Sequence, residues 1–231
     1  MSTESAVTRT EPAVYVYEAP VRLWHWVTAL CIVVLAITGY LIGSPLPSVT
    51  GEASEHYMMG NIRFLHFAAG YVFAVAFVGR VYWAFVGNDN AREIFLPPVF
   101  SGAFWGGVWH EIKWYSFLVK EPHKYHGHNP LAQLAMHVMF VWGTVFMIVT
   151  GFALYGEGTG MDSWAYSWFS SWVIPLFGQS QDVHTWHHLV MWYIVIFAMI
   201  HIYVANREDI MSRQSLISSM ISGWRTFRDT R

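Results

Sequence analysis

The sequence contains little charge. Only 12% of its 231 residues are Asp, Glu, Lys or Arg, whereas 55% are hydrophobic; an average soluble domain is about a quarter charged. This composition excludes an ordinary soluble domain and indicates a membrane protein. The formal net charge of -2 gives no reason to expect a polyanionic partner such as nucleic acid.

Cysteine is almost absent. The single one, Cys31, lies in an apolar run, and we interpret it as a small packing residue. One cysteine provides neither a disulfide framework nor a thiolate metal site, and the lack of a C-x-x-C-H motif excludes covalent haem attachment. Any cofactor must therefore be held by other side chains.

Four stretches are long and apolar enough to cross about 30 Å of hydrocarbon. They span residues 22–43, 63–86, 131–155 and 184–205. We predict an all-α membrane protein, a four-helix transmembrane bundle that forms a single domain over residues 1–231. Interfacial loop segments, a flexible tail at 1–13 and a cytoplasmic tail at 206–231 complete the prediction. The first stretch is longer than a signal h-region and lacks a following small-residue cleavage site, so we retain it as a helix.

Lys and Arg are missing from two of the connections, residues 44–61 and 156–183. The connection at 87–130 and the tail at 206–231 hold most of the cations instead: Arg92, Lys113, Lys120, Lys124, Arg207, Arg213, Arg225, Arg228 and Arg231. Because cationic loops stay in the cytoplasm, the two cation-free connections should face outward. Both termini are then cytoplasmic.

Four histidines of the predicted spans fall at two depths. They are His25, His66, His187 and His201. The topology places His66 and His187 near the outer surface, and the other two near the cytoplasmic surface. The fourteen residues between His187 and His201 put both on one helix face, about 21 Å apart. His184 and His188 lie on other faces, which favours capping or interfacial roles.

Neutral imidazole is an axial ligand of haem, and ionisable groups inside a bilayer are usually functional. The two depths therefore predict two bis-histidine haems. The outer haem would be bound by His66 and His187, and the inner haem by His25 and His201.

Two glycines bear on the outer haem. Gly39 and Gly70 would leave room for it, but small residues also serve helix packing in membranes.

The alternative to haem is a metal or proton transporter, since histidines also serve these functions. The four spans contain no Asp or Glu, so a transporter would lack its usual carboxylates.

Phrases in and beside the spans identify a family resemblance. Eight segments together resemble the cytochrome b subunit of membrane-bound nickel-iron hydrogenases. They are "RLWHW", "TGYLIG", "LHFAAGY", "GRVYWAFVGN", "GHNPLAQLAM", "IVTGFALYGEG", "HTWHHLVMW" and "HIYVANREDIMS". The resemblance covers nearly the whole chain after residue 14. The predicted bundle is also similar in architecture to the haem subunit of a formate dehydrogenase or a related b-type oxidoreductase. The segments in the loops favour the hydrogenase family.

The resemblance implies a subunit with two haems b in the bacterial inner membrane. It would anchor a periplasmic hydrogenase, made of an iron-sulfur small subunit and a nickel-iron large subunit, and pass electrons from hydrogen to quinone. The family's haem ligands fall on His25, His66, His187 and His201. Whether the chain is itself an enzyme is left open, although quinone reduction is expected on it.

The inner connection provides candidates for a quinone site. His123 and Asn129 are the first, because the chain enters the third span there and the resemblance places the quinone region on this side. The alternatives are solvated interfacial histidines, or a metal site formed by the H-x-x-H-x-H spacing of His123, His126 and His128.

Three further residues have open roles. Arg22 and Arg80 can reach the inner haem level, where they would pair with haem propionates or extend to the cytoplasmic surface. His137 could compete as a ligand, contact quinone or form an interhelical hydrogen bond.

Overall fold

The structure of the chain, a computed structural model, describes residues 13–47, 50–52 and 56–227. The flexible tail predicted at 1–13 lies outside the described residues except for Ala13. Nine α-helices and two short strands are found in the described part. In chain order they are β1 (Val14–Tyr15), α1 (Ala19–Gly43), α2 (Met58–Val86), α3 (Asp89–Arg92), α4 (Gly102–Tyr115), α5 (Pro130–Ala135), α6 (Trp142–Thr159), α7 (Ser171–Phe177), α8 (Ser180–Met211), α9 (Leu216–Ser222) and β2 (Trp224–Arg225).

Four helices are long and apolar enough to cross a membrane: Ala19–Gly43, Met58–Val86, Pro130–Thr159 and Ser180–Met211. The prediction of an all-α membrane protein with four spanning helices is confirmed. Each helix continues beyond its predicted span, most clearly α8, which begins at Ser180 and ends at Met211. Apolar runs mark only the part of a helix that matches the hydrocarbon, whereas the backbone remains helical into the polar regions.

The third span contains a π-helical turn, Met136–Val141, between α5 and α6. The span begins where the side chain of Asn129 accepts a hydrogen bond from the amide of Ala132 at 2.7 Å. Pro130 occupies the first turn, where its missing N–H costs nothing. A second π-helical turn, Tyr166–Ser170, precedes α7.

The chain divides into two compact units. We name Trp24–Arg80 with Val138–Phe197 the core unit, and the described parts of Met1–Leu23, Val81–His137 and Ala198–Arg231 the end unit. In the core unit Ala153, Val173 and Val183 form a buried cluster. In the end unit a second cluster consists of Val16, Tyr17, Val21 and Ala91.

The end unit ties the two ends of the chain together. β1 pairs with β2 in antiparallel register, Val14 opposite Arg225 and Tyr15 opposite Trp224. Arg225 is buried and donates hydrogen bonds to the carbonyls of His126 (2.9 Å) and Gly127 (2.6 Å) and to Oε1 of Gln214 (2.6 Å). The described part of the tail predicted at 206–231 is thus folded against the connection before the third span.

Candidate haem site

The core unit contains a partly open cavity of about 1070 Å³. His66 and His187 both line it, as do five glycines, Gly39, Gly43, Gly70, Gly151 and Gly158. The other lining residues are mainly apolar, and the volume lies just above the usual range of ligand sites, about 300–1,000 Å³. The structure therefore brings the two predicted outer ligands to one large apolar cavity.

The ring of His66 is oriented by a threonine of α1. Thr38 Oγ1 lies 2.7 Å from the carbonyl oxygen of Val34 and 2.8 Å from Nδ1 of His66. A carbonyl can only accept, so the hydroxyl donates its proton to Val34 and its oxygen accepts one from the ring. The proton of His66 is thereby held on Nδ1.

His187 has the same arrangement with a threonine of α6. Thr150 Oγ1 lies 2.8 Å from the carbonyl oxygen of Phe146 and 2.7 Å from Nδ1 of His187. The same reasoning places the ring proton on Nδ1. In both histidines Nε2 then carries the lone pair, which is the form of imidazole that binds a metal.

Two glycines lie beside these rings. A Cβ at Gly39 would come within 3.2 Å of Cε1 of His66, and one at Gly151 within 3.4 Å of Cε1 of His187. The first distance is too short for the ring to stay in place. Each histidine is thus flanked by a threonine that fixes its tautomer and a glycine that leaves it space. Paired imidazoles in a roomy apolar cavity fit a bis-histidine haem, which would supply one-electron redox chemistry when bound.

The neighbouring histidines of α8, His184 and His188, also line this cavity but have other hydrogen bonds and packing contacts. His184 is exposed and its Nδ1 lies 3.0 Å from the carbonyl oxygen of Ser180, in the first turn of the helix. His188 packs against Trp192 and fits beside Gly43, where a Cβ would lie 3.2 Å from its ring. Neither has the threonine partner that orients His66 and His187.

The two inner candidates lie in different units. His25 belongs to the core unit, is half-buried and packs edge-on against Trp26, with ring centroids 5.0 Å apart. His201 belongs to the end unit and is half-buried in α8. Their joint binding of an inner haem stays a prediction.

The two arginines considered for haem propionates also differ. Arg80 is only 3% exposed and its guanidinium lies 5.2 Å from the ring centroid of Trp24, so its charged end does not extend to the surface. Arg22 is half-buried and donates a hydrogen bond to the carbonyl of Ile221. Only Arg80 has the burial that a carboxylate partner would compensate.

The open histidines of the end unit mostly have structural contacts. Nδ1 of His137 lies 3.1 Å from the carbonyl oxygen of Ile94, so this ring has the hydrogen bond that was one of its three alternatives. A bond through Nδ1 does not involve Nε2, and haem ligation or quinone contact by His137 stays a prediction. His128 contacts Glu93 through both its amide (2.9 Å) and Nδ1 (3.1 Å). His123 is exposed and stacks on His110, with centroids 3.5 Å apart and planes 5° apart.

The H-x-x-H-x-H spacing does not produce a metal site. Across residues 13–47, 50–52 and 56–227, no group of three or more His, Cys, Asp or Glu side chains could hold a metal ion. His126 packs on Phe227 and its carbonyl accepts from Arg225. The pattern marks a loop fixed to the C-terminal segment.

Sequence reasoning missed Thr38, Thr150 and Gly151. A signal for them exists, because a Thr-Gly pair occurs in "AITGYLIG" and again in "IVTGFALYG". Threonine in a helix interior commonly bonds its own backbone, which makes a single one uninformative. The repetition on two helices, each opposite a candidate ligand, is what distinguishes this pair.

Comparison with known proteins agrees with this geometry. The profile of the family described as "Prokaryotic cytochrome b561" matches residues 16–223. Relatives named "Probable Ni/Fe-hydrogenase B-type cytochrome subunit" occur in Azotobacter vinelandii, 69% identical over 96% of this chain and 92% of the relative, and in Cupriavidus necator, 60% identical over 94% and 88%. The corresponding hydrogenase 1 subunit of Escherichia coli K12 is 51% identical over 93% of this chain and 91% of its own length. The chain therefore belongs to the prokaryotic cytochrome b561 family, as a membrane cytochrome b of the nickel-iron hydrogenase type.

Proposed function

We propose that the chain anchors a periplasmic nickel-iron hydrogenase in the bacterial inner membrane and passes its electrons to quinone. Two haems b would be bound, one by His66 and His187 and one by His25 and His201. The observation that carries the proposal is the cavity of the core unit, where two imidazoles are held in the metal-binding tautomer. The names of the relatives support hydrogenase as the partner over formate dehydrogenase or a histidine-lined transporter.

Charge supports an orientation in the membrane. The connections at 44–61 and 156–183 have no Lys or Arg, which supports an outward position. β1 and β2 pair with each other, which supports one side of the membrane for both strands, and the cations of the tail support the cytoplasm as that side. His66 and His187 would then lie near the hydrogenase, and the end unit would lie near the quinone site.

The outward connection offers a surface for the iron-sulfur small subunit. Trp168 and Trp172 are 74% and 50% exposed and stand one helical turn apart. Aromatic side chains serve as contact anchors in protein interfaces. Replacing both with Ala should release the hydrogenase from the membrane, whereas intact co-purification would remove this surface from the proposal.

Quinone would be reduced in the end unit, beside His123 and Asn129. The amide nitrogen of Asn129 donates to the hydroxyl of Tyr115 at 3.3 Å while its oxygen caps α5. This fixes a polar group at the entry to the third span. Arg80, as the buried cation of the core unit, is our candidate for a propionate contact, with Arg22 second.

The order of electron transfer tests the proposal. In membranes supplied with hydrogen, a His201→Ala variant should retain a reducible outer haem but fail to reduce quinone. A His187→Ala variant should leave the inner haem unreduced. His56→Ala is the matched control, since this histidine is exposed and does not line the cavity, and it should keep both haems and full quinone reduction.

Spectra must show the remaining haem in each variant, because loss of a cofactor lowers the stability of a protein that binds it. A pyridine-haem assay of the wild-type chain should find two haems b. Full quinone reduction by His201→Ala without an inner haem would refute the two-haem pathway. Molybdenum in place of nickel in the purified complex would refute the hydrogenase partner.

A further inference from the structure

The helix α4 presents a carboxyl group to the interior and aromatic residues to the outside. Its buried residues, Phe104, Val108, Glu111 and Trp114, follow helical spacing. Trp105 and Trp109, on the opposite side, are 49% and 58% exposed, as expected for a helix at a membrane surface. Glu111 is only 1% exposed. An acid on the buried side of such a helix is costly unless it is protonated or paired.

The cation whose charge acts on Glu111, Arg207, is already paired. Arg207 lies 3.4 Å from Oε1 of Glu208 and donates to the carbonyl of Trp114 at 3.1 Å. Glu208 Oε1 also accepts from the indole nitrogen of Trp114 at 2.6 Å. Oε1 of Glu111 has no hydrogen-bond partner among the described residues. One cation thus faces two buried carboxyls, and the set becomes neutral when Glu111 holds a proton.

The proton of Glu111 is exchangeable near neutral pH. Burial raises its pKa to about 7, with the neighbouring charge of Glu208 acting in the same direction and Arg207 in the opposite one. The phenols of Tyr115 and Tyr125 stay protonated, because burial raises the pKa of both, and for Tyr125 the charge of Glu111 adds to the effect. Glu111 is therefore suited to take up and release a proton at physiological pH.

Polar side chains in the surroundings of Glu111 reach the solvent. His123 is exposed, and its Nδ1 lies 3.5 Å from the hydroxyl of Tyr125. The charge of Glu111 contributes to the raised pKa of Tyr125. His110, next to Glu111 in sequence, stacks on His123. An exposed imidazole and a phenol thus belong to the surroundings of the buried carboxyl.

A second set of contacts leads from the cluster to the quinone-site candidate. Tyr115 shares a side-chain hydrogen bond with Glu208 and another with Asn129. Glu208 and Asn129 are therefore linked through one phenol. The charge of Glu111 acts on the same phenol, so the buried carboxyl and the quinone-site candidate share Tyr115 as a neighbour.

We propose that Glu111 carries protons from the cytoplasmic solution to quinone. This inference rests on the proposed function, which supplies two electrons for each quinone. The Glu111 carboxyl gives its proton to an oxygen of the reduced quinone and becomes a carboxylate, which is reprotonated from water through His123 and Tyr125. Two such transfers with two electrons convert quinone to quinol, so protons and electrons balance.

The test is Glu111→Gln in the complete hydrogenase complex. The amide has the same shape but cannot release a proton, so hydrogen-dependent quinone reduction should fall by about 100-fold, while hydrogen still reduces both haems. Glu111→Asp should restore part of the rate with a shifted pH profile. Glu121→Gln is the control, because this exposed acid lies in the same connection, and its rate and pH profile should match the wild type.

Infrared spectroscopy provides a readout that does not depend on turnover. The wild-type protein should show a protonated carboxyl band that disappears with rising pH around neutrality, and the Glu111→Gln variant should lack it. Normal quinone reduction by Glu111→Gln, or persistence of the band in that variant, would overturn the inference. A wild-type complex whose haems are not reduced by hydrogen would instead overturn the proposed function. If Glu111→Gln fails to assemble, the pH profile of Glu111→Asp and the wild-type band decide the question.

Discussion

The core unit and the end unit of the molecule treat buried polar groups in opposite ways. Around His66 and His187 the core unit uses hydroxyls, which hydrogen-bond the rings without adding charge. The end unit buries four charged groups, Arg207, Arg225, Glu208 and Glu111. Neutral, fixed partners suit a site that passes electrons, because the protonation of its ligands need not change. A buried carboxyl whose pKa lies near neutrality suits a site that exchanges protons. Separate parts of one short chain thus have chemistries suited to the two tasks of quinone reduction.

The largest effect is expected when the space beside His66 in the core unit is filled. Gly39→Leu places a side chain where even a Cβ lies 3.2 Å from the ring, so the outer haem should be lost and the inner one retained. Gly79→Leu is the control, because a Cβ at Gly79 meets nothing within 4 Å. The haem content of the purified proteins checks this. A full complement of haem in Gly39→Leu would show that the cavity is not the haem site.

Removing the hydroxyls should have a smaller effect. Thr38→Val and Thr150→Val keep the side-chain shape but free the rings of His66 and His187, and we expect a loss of outer-haem affinity of roughly tenfold or more. A redox titration should also show a shifted potential for the outer haem only.

Matched controls for these variants lie on the same two helices. Thr28 on α1 and Thr144 on α6 are buried, and their hydroxyls lack a hydrogen-bond partner in the described part of the chain. Thr28→Val and Thr144→Val should therefore leave the outer haem unchanged. Equal haem loss in the control and test variants would mean that the hydroxyls do not position the ligands.

The end unit should show the smallest effect, a dependence of stability on pH. The pKa of Glu111 is about 7 in the folded chain against 4.5 for an ordinary Glu, so between these values the folded state binds more protons than the unfolded state. Stability should therefore fall as the pH rises from about 4.5 to about 7, by a few kcal/mol at most. Thermal unfolding in detergent should show this slope in the wild type and a weaker slope in Glu111→Gln. An identical slope in both would assign the pH dependence to other groups.

Most of the fold could be predicted from the sequence, because crossing a bilayer requires long apolar helices and these are visible as composition. The ends of the helices were harder to predict from the sequence. Ser180–Gln181–Asp182 begins α8, although none of these residues is apolar. The burial of Glu111 was not predicted either, even though it occupies an inward position in the spacing of Phe104, Val108 and Trp114.

The candidate site was predictable to the extent that it depends on depth within a helix. His66 and His187 could be assigned to one level from helix direction alone, and the structure places both at one cavity. Thr38 and Thr150 could not be assigned, because their role depends on which helices are neighbours. His137 was ambiguous for the same reason, since its partner Ile94 lies outside every span.

The pairing of Val14–Tyr15 with Trp224–Arg225 joins a strand that is synthesised early to one that is synthesised late. Chains grow from the N-terminus at about 5–20 residues per second, so β2 is synthesised roughly ten to forty seconds after β1. The amides of Val16 and Tyr17, which donate to the carbonyl of Gly223 at 2.9 and 3.2 Å, wait equally long. A polypeptide terminated before Gly223 lacks the carbonyl that these two amides bond, so the N-terminal strand of such a fragment stays unpaired on this edge.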